Sequence, residues 1–105
     1  MDRITRIARK VVCAIDANRI LKDVNSTMRG DEFEDASIQN GVLRLRYCGK
    51  AYGDGYDFNE RYVNGRFVDG SHGDMQRFSP FFEKQAKYIY EKYKVPQIVV
   101  YGYFD

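Results

Sequence analysis

The sequence predicts an α+β domain, with an antiparallel sheet of about four to five strands, an N-terminal helix and a second helix before the last strand. Three observations predict it. An apolar stripe at helical spacing opens the chain, two Asn-Gly dipeptides each sit between alternating strand-like runs, and a second helical stripe leads into a β-branched run. The 105 residues fit one domain, since domains cluster at about 100–150 residues. With 44% hydrophobic and 30% charged residues and two prolines, the composition is that of a globular chain and excludes disordered, collagenous and disulfide-stapled classes.

Ile4, Ile7, Ala8, Val11, Val12 and Ile15 fall within about 140° of arc on a helical wheel, the width of a core-facing stripe. Beyond Ile15 the stripe moves to the opposite side, through Cys13, Ala17, Ile20 and Val24 with Leu21 beside them. Either the helix breaks near Asp16-Ala17-Asn18, with Asn18 as N-cap of a second helix, or one long helix is apolar on opposite sides at its two ends. In the second case Cys13, Ala17, Ile20 and Val24 would meet a second copy of the chain in a homodimer.

Asn40-Gly41 suits a type I′ hairpin turn, which needs positive φ at both central residues. A two-residue turn there pairs Ile38 with Leu43 and Ala36 with Leu45 on one face, and Ser37 with Arg44 and Asp35 with Arg46 on the other. Asn64-Gly65 repeats the signal and pairs Tyr62 with Phe67, which in a regular ladder sets Glu60 opposite Asp69, an unfavourable like-charge pair. Ser79-Pro80 reads as a helix start, followed by the stripe Phe78, Phe81, Phe82, Ala86, Ile89 and Tyr93, and Val95-Pro96 ends it. Ile98 to Phe104 is a β-branched and aromatic run, read as a well-buried strand inside the sheet. The order is α-β-β-β-β-α-β, with the two helices covering one face and the other face partly wet.

Seventeen Lys and Arg against fifteen Asp and Glu leave +2, too little for a strong field toward nucleic acid or an anionic membrane. Two distant cysteines and one histidine cannot assemble a usual zinc site, and free thiols suit the cytoplasm (the host's, for a viral gene). No signal peptide or membrane span is expected. Asp54, Asp57, Asn59 and Glu60 offer hard oxygens, but Arg61 and Tyr62 occupy the positions at which a calcium loop needs a ligand and a glycine. No metal or cofactor is expected.

Sixteen aromatics, nine Tyr and seven Phe without Trp, exceed what a core of this size encloses. Surface tyrosines give large contact area for little lost side-chain entropy. The first expectation is therefore a small non-catalytic protein-binding module, an adaptor, regulator or inhibitor of the kind phages and mobile elements carry. It would use Tyr52, Tyr56, Tyr88 and Tyr90 together with the acidic stretch Asp31, Glu32, Glu34 and Asp35. The alternative is a nucleic-acid-binding protein with Arg3, Arg6, Arg9, Lys10, Arg44 and Arg46 on phosphates and Tyr52 or Tyr56 stacking on bases. A third reading is a small enzyme whose His72 is oriented by Asp69 or Asp74.

Overall fold

A computed structural model describes residues 16–30, 32–49, 56–71 and 82–104, with the backbone alone at positions 56, 71 and 104. The elements are α1 (Ala17–Ser26), β1 (Phe33–Gln39), β2 (Val42–Gly49), β3 (Tyr56–Val63), β4 (Arg66–Ser71), α2 (Glu83–Tyr93) and β5 (Gln97–Phe104). The order is the expected α-β-β-β-β-α-β.

Helix α1 starts behind Asp16, whose backbone is extended and whose Oδ1 accepts the Asn18 amide at 2.9 Å. The N-cap is thus Asp16 and not Asn18, because the carboxylate reaches an amide that α1 leaves unsatisfied. Ile20 and Val24 are fully buried against the chain's own sheet, with Ala17 and Leu21 packed beside them. These side chains fill the core and do not face outward to a second copy, which corrects the dimer expectation at Ile20 and Val24. Cys13 and the stripe from Ile4 to Ile15 lie outside the described residues.

Both Asn-Gly turns form as expected. Asn40 and Gly41 have φ of 52° and 78°, and Asn64 and Gly65 repeat those values, the type I′ signature that matches strand twist. Ile38 faces Leu43, Ala36 faces Leu45, and Tyr62 faces Phe67. Two bulges depart from the regular ladders. One lies between Phe33 and Asp35, the other between Arg61 and Tyr62. The second sets Arg61, not Glu60, opposite Asp69, so the expected like-charge pair becomes an ion pair at 3.2 Å. Glu60 alternates with exposed Asn59 and Arg61 and shares the core side of β3 with Phe58 and Tyr62.

The sheet order is β1-β2-β5-β3-β4. β5 lies at its centre, antiparallel to β3 and parallel to β2, so the sheet is mostly rather than wholly antiparallel. β4 and β5 both oppose β3, and α2 is the crossover that carries the chain from the edge back to the middle. It begins at Glu83 behind Phe82, which makes no side-chain cap; this is later than expected, and Ser79 and Pro80 lie outside the described residues. Lys94, left-handed at φ 59°, closes the helix with its amide on the Tyr90 carbonyl at 2.8 Å.

One face of the sheet packs under the helices. Leu43, Leu45, Tyr62, Ile98 and Val100 meet Ile20, Val24, Ala86 and Ile89 in one buried cluster. Part of the aromatic surplus is spent there: Phe33, Tyr47, Phe58 and Phe82 pack with ring centroids 4.8 to 6.2 Å apart, in tilted, edge-on and stacked contacts. Asn25 locks α1 to β1, its side-chain amide donating to the Phe33 carbonyl at 3.0 Å while its oxygen accepts the Phe33 amide at 2.9 Å.

Candidate functional site

Side chains alternate across a strand, so burial of one sheet face fixes which residues line the other. Register pairs Ser37 with Arg44 and Asp35 with Arg46, Arg44 with Val99, Arg46 with Tyr101 and Cys48 with Tyr103. Across β5 it pairs Tyr103 with Asp57, Tyr101 with Asn59 and Val99 with Arg61, and then Arg61 with Asp69. The face that neither described helix covers is thus a band of arginine and tyrosine edged with carboxylates. Tyr103 is 42% exposed.

The charges on this face are not equivalent. Arg46 has Asp35 as its ladder neighbour, as expected, but its ion pair is with Glu34 of the β1 bulge, at 3.5 Å. Arg61 is held by Asp69 at 3.2 Å. Arg44 lies over the Tyr101 ring, 4.7 Å from its centroid. Arg44 and Tyr101 border a depression of about 320 Å³ with Asp57, Phe58, Asn59 and Gly102. Gly102 is required there: its φ is 156°, and a Cβ would fall 1.7 Å from the Tyr47 carbonyl oxygen.

The face under the helices holds two polar constellations. Tyr62 donates to Glu60 Oε1 at 2.6 Å and accepts the Phe82 amide at 3.1 Å, with both side chains fully buried. Burial, and then the Glu60 carboxylate, push proton loss from Tyr62 far above the ordinary tyrosine range. Between the helices, Asp23 accepts from Lys92 at 2.7 Å, from Tyr88 at 2.8 Å and from Tyr93. Those bonds, led by Lys92, hold its carboxyl at about 2, below the ordinary 3.8. Asp23 in turn raises the proton affinity of Lys92 and of Tyr93.

Among the predicted contact residues, Tyr88 is committed to Asp23 and is half-buried, so its hydroxyl joins the two helices rather than facing outward. Tyr90 lies beneath Lys94, its ring centroid 5.8 Å from Nζ, at a cleft it shares with Arg66, Glu83 and Lys87. Glu32 is exposed, while Glu34 and Asp35 belong to β1 rather than to a free loop. Asp31, Tyr52, Arg3, Arg6, Arg9 and Lys10 lie outside the described residues, as does the side chain of Tyr56.

His72 and Asp74 also lie outside them, and Asp69 is engaged by Arg61. Strand alternation separates Asp57 and Asn59 from Glu60, so these oxygens do not converge. Among the described residues no group of three or more His, Cys, Asp or Glu is placed to hold a metal ion, and no helix is long and apolar enough to cross a membrane. Sequence reading assigned Arg44 and Arg46 to one face but missed their interleaving with Tyr101 and Tyr103. That depends on β5 lying beside β2, a long-range pairing that no local pattern encodes. Comparison with protein-family models, with curated proteins and with solved structures finds no match.

Proposed function

We propose that this chain is a small non-catalytic protein-binding module whose partner docks on the sheet face opposite the two described helices. The observation that carries this reading is the composition of that face: Arg44, Arg46, Arg61, Tyr101 and Tyr103 interspersed with Asp35, Asp57 and Asp69. Tyrosine and arginine are the residues enriched at the energetic centres of protein interfaces, and charges of both signs select a partner by complementarity. The rigid sheet holds them in place at little further entropic cost on binding.

Interleaved arginine and tyrosine also favour a second reading, a nucleic-acid surface. The carboxylates weigh against it. A nucleic-acid strand presents an anion at every nucleotide, and affinity comes from neutralising many of them; here Arg46 and Arg61 already have acidic partners.

The test is affinity capture from source lysate with nuclease, comparing the wild type with Arg44→Gln and Tyr103→Ala variants of unchanged thermal midpoint. A stoichiometric protein that survives nuclease and is lost from both variants supports the reading. Retention by both variants overturns the assigned face. Partners that vanish on nuclease treatment, with nucleic acid in the eluate, transfer it to the second reading.

A further inference from the structure

Arg44 differs from its neighbours on the sheet face. Arg46 and Arg61 each have a carboxylate within 3.5 Å, whereas among the described residues no carboxylate pairs with Arg44. Its guanidinium instead lies over Tyr101. Stacking uses the flat face of a guanidinium and leaves its N–H donors, which lie in the plane, free to make the two parallel bonds that fit a carboxylate. The ring also restrains the long side chain, so less entropy is lost when those bonds form.

The surroundings limit what can bind. Arg44 borders a depression shared with Asp57, Asn59, Tyr101 and Gly102. Asn59 adds an uncharged amide, and the Tyr101 ring adds apolar area. Asp57 sits on the same rim, and Asp35 and Asp69 lie further out on the face. A single carboxylate on the Arg44 donors brings one negative charge to this rim, offset by the guanidinium it pairs with. A chain of successive phosphates, or a run of acidic residues, would be driven against these acids.

Building on the binding-module reading, we propose that Arg44, stacked on Tyr101, receives a single aspartate or glutamate side chain of the protein partner. The partner's acidic residue anchors it at the middle of the face, and neighbouring neutral residues pack on Tyr101 and Tyr103. Specificity follows from the surrounding acids, which accept one carboxylate and reject a polyanion.

The experiment is selection of a random dodecapeptide phage library on the immobilised full chain, followed by titration of synthetic versions of the recovered peptides. The expected peptides share one Asp or Glu flanked by uncharged residues. Changing that residue to its amide, or Arg44→Gln in the protein, is expected to weaken binding by at least about tenfold, the loss of one charge-assisted hydrogen bond. In the Arg44→Gln protein the peptide's amide change should then have no further effect, which separates direct pairing from a general loss of affinity. Peptides without an acidic residue that bind Arg44→Gln as tightly as wild type, but are lost on Tyr103→Ala, overturn the carboxylate assignment and leave the binding face standing. Recovery of no binding peptide overturns both. Arg44-dependent binding of a twenty-nucleotide single strand, tighter than any peptide, overturns the assignment in favour of phosphate.

Discussion

Tyr88 on α2 donates a hydrogen bond of 2.8 Å to Asp23 on α1, and the same carboxylate accepts from Tyr93 and Lys92. One acidic group therefore ties the two helices together. The depressed pKa gives this a pH signature. A carboxyl held at about 2 in the fold against 3.8 unfolded contributes stability that is complete above pH 4. That stability is lost as the pH falls through 2. Asp23→Asn should lower unfolding stability at pH 7 by about 1–2 kcal/mol, allowing for solvent screening at the exposed Lys92. The gap between variant and wild type should narrow between pH 4 and pH 2. Urea unfolding midpoints at pH 7, 4 and 2.5 check this, and a gap independent of pH would contradict it.

The Tyr62 hydroxyl bridges the Glu60 carboxylate and the Phe82 amide inside the core. Tyr62→Phe keeps the ring but takes a donor from Glu60 and an acceptor from Phe82. A loss of about 1–3 kcal/mol follows for buried groups deprived of a partner, read as a shift in the denaturation midpoint. Because folding holds the phenol neutral, its contribution is full below the ordinary tyrosine value of about 10 and disappears as the pH rises above it. In a spectrophotometric titration, Tyr62→Phe should remove a tyrosine that ionises only with alkaline unfolding. A variant that removes an early-titrating tyrosine instead would disprove the buried bridge.

The parts of the fold that were legible in the sequence are those set by neighbours. Asn40-Gly41 and Asn64-Gly65 fix their hairpins because positive φ at two successive residues admits few side chains, and the register of Ala36 and Ile38 follows from turn length. The bulges at Glu34 and near Arg61 were not legible, since each inserts one residue into a ladder whose composition is unchanged. Nor was the Asp23 cluster, whose donors come from the other helix. At the candidate site, the outward pointing of Arg44 and Arg46 could be read from alternation. Their approach to Tyr101 could not, because it requires β5 to enter the sheet between β2 and β3.

Gly102 lets β5 pass close to β2. A Cβ there would overlap the Tyr47 carbonyl oxygen, and the φ of 156° is itself unfavourable for an L side chain. Gly102→Ala must therefore displace the central strand. A loss of about 3 kcal/mol or more is expected from overpacking combined with backbone strain, visible as a lower thermal midpoint or as failure to refold. The substitution also sits at the floor of the Arg44 depression, so any folded Gly102→Ala protein should bind partner more weakly. A variant as stable as wild type would show that the β2–β5 approach is looser than described.

Ile20 separates two explanations of the apolar stripe on α1. Were the stripe an interface between copies, Ile20→Glu would yield a folded monomer. The residue is instead fully buried against the chain's own sheet, where a carboxylate has no partner and its desolvation is not offset. Ile20→Glu is thus expected to unfold the chain. Ile20→Ala should leave it folded but about 2–5 kcal/mol less stable, the range for truncating a buried aliphatic side chain. Circular dichroism with light scattering distinguishes the outcomes: loss of helical signal agrees with a core position, whereas native signal with a change in mass would return Ile20 to an interface. Association through any other surface leaves the expectation unchanged, because the cost arises within one chain.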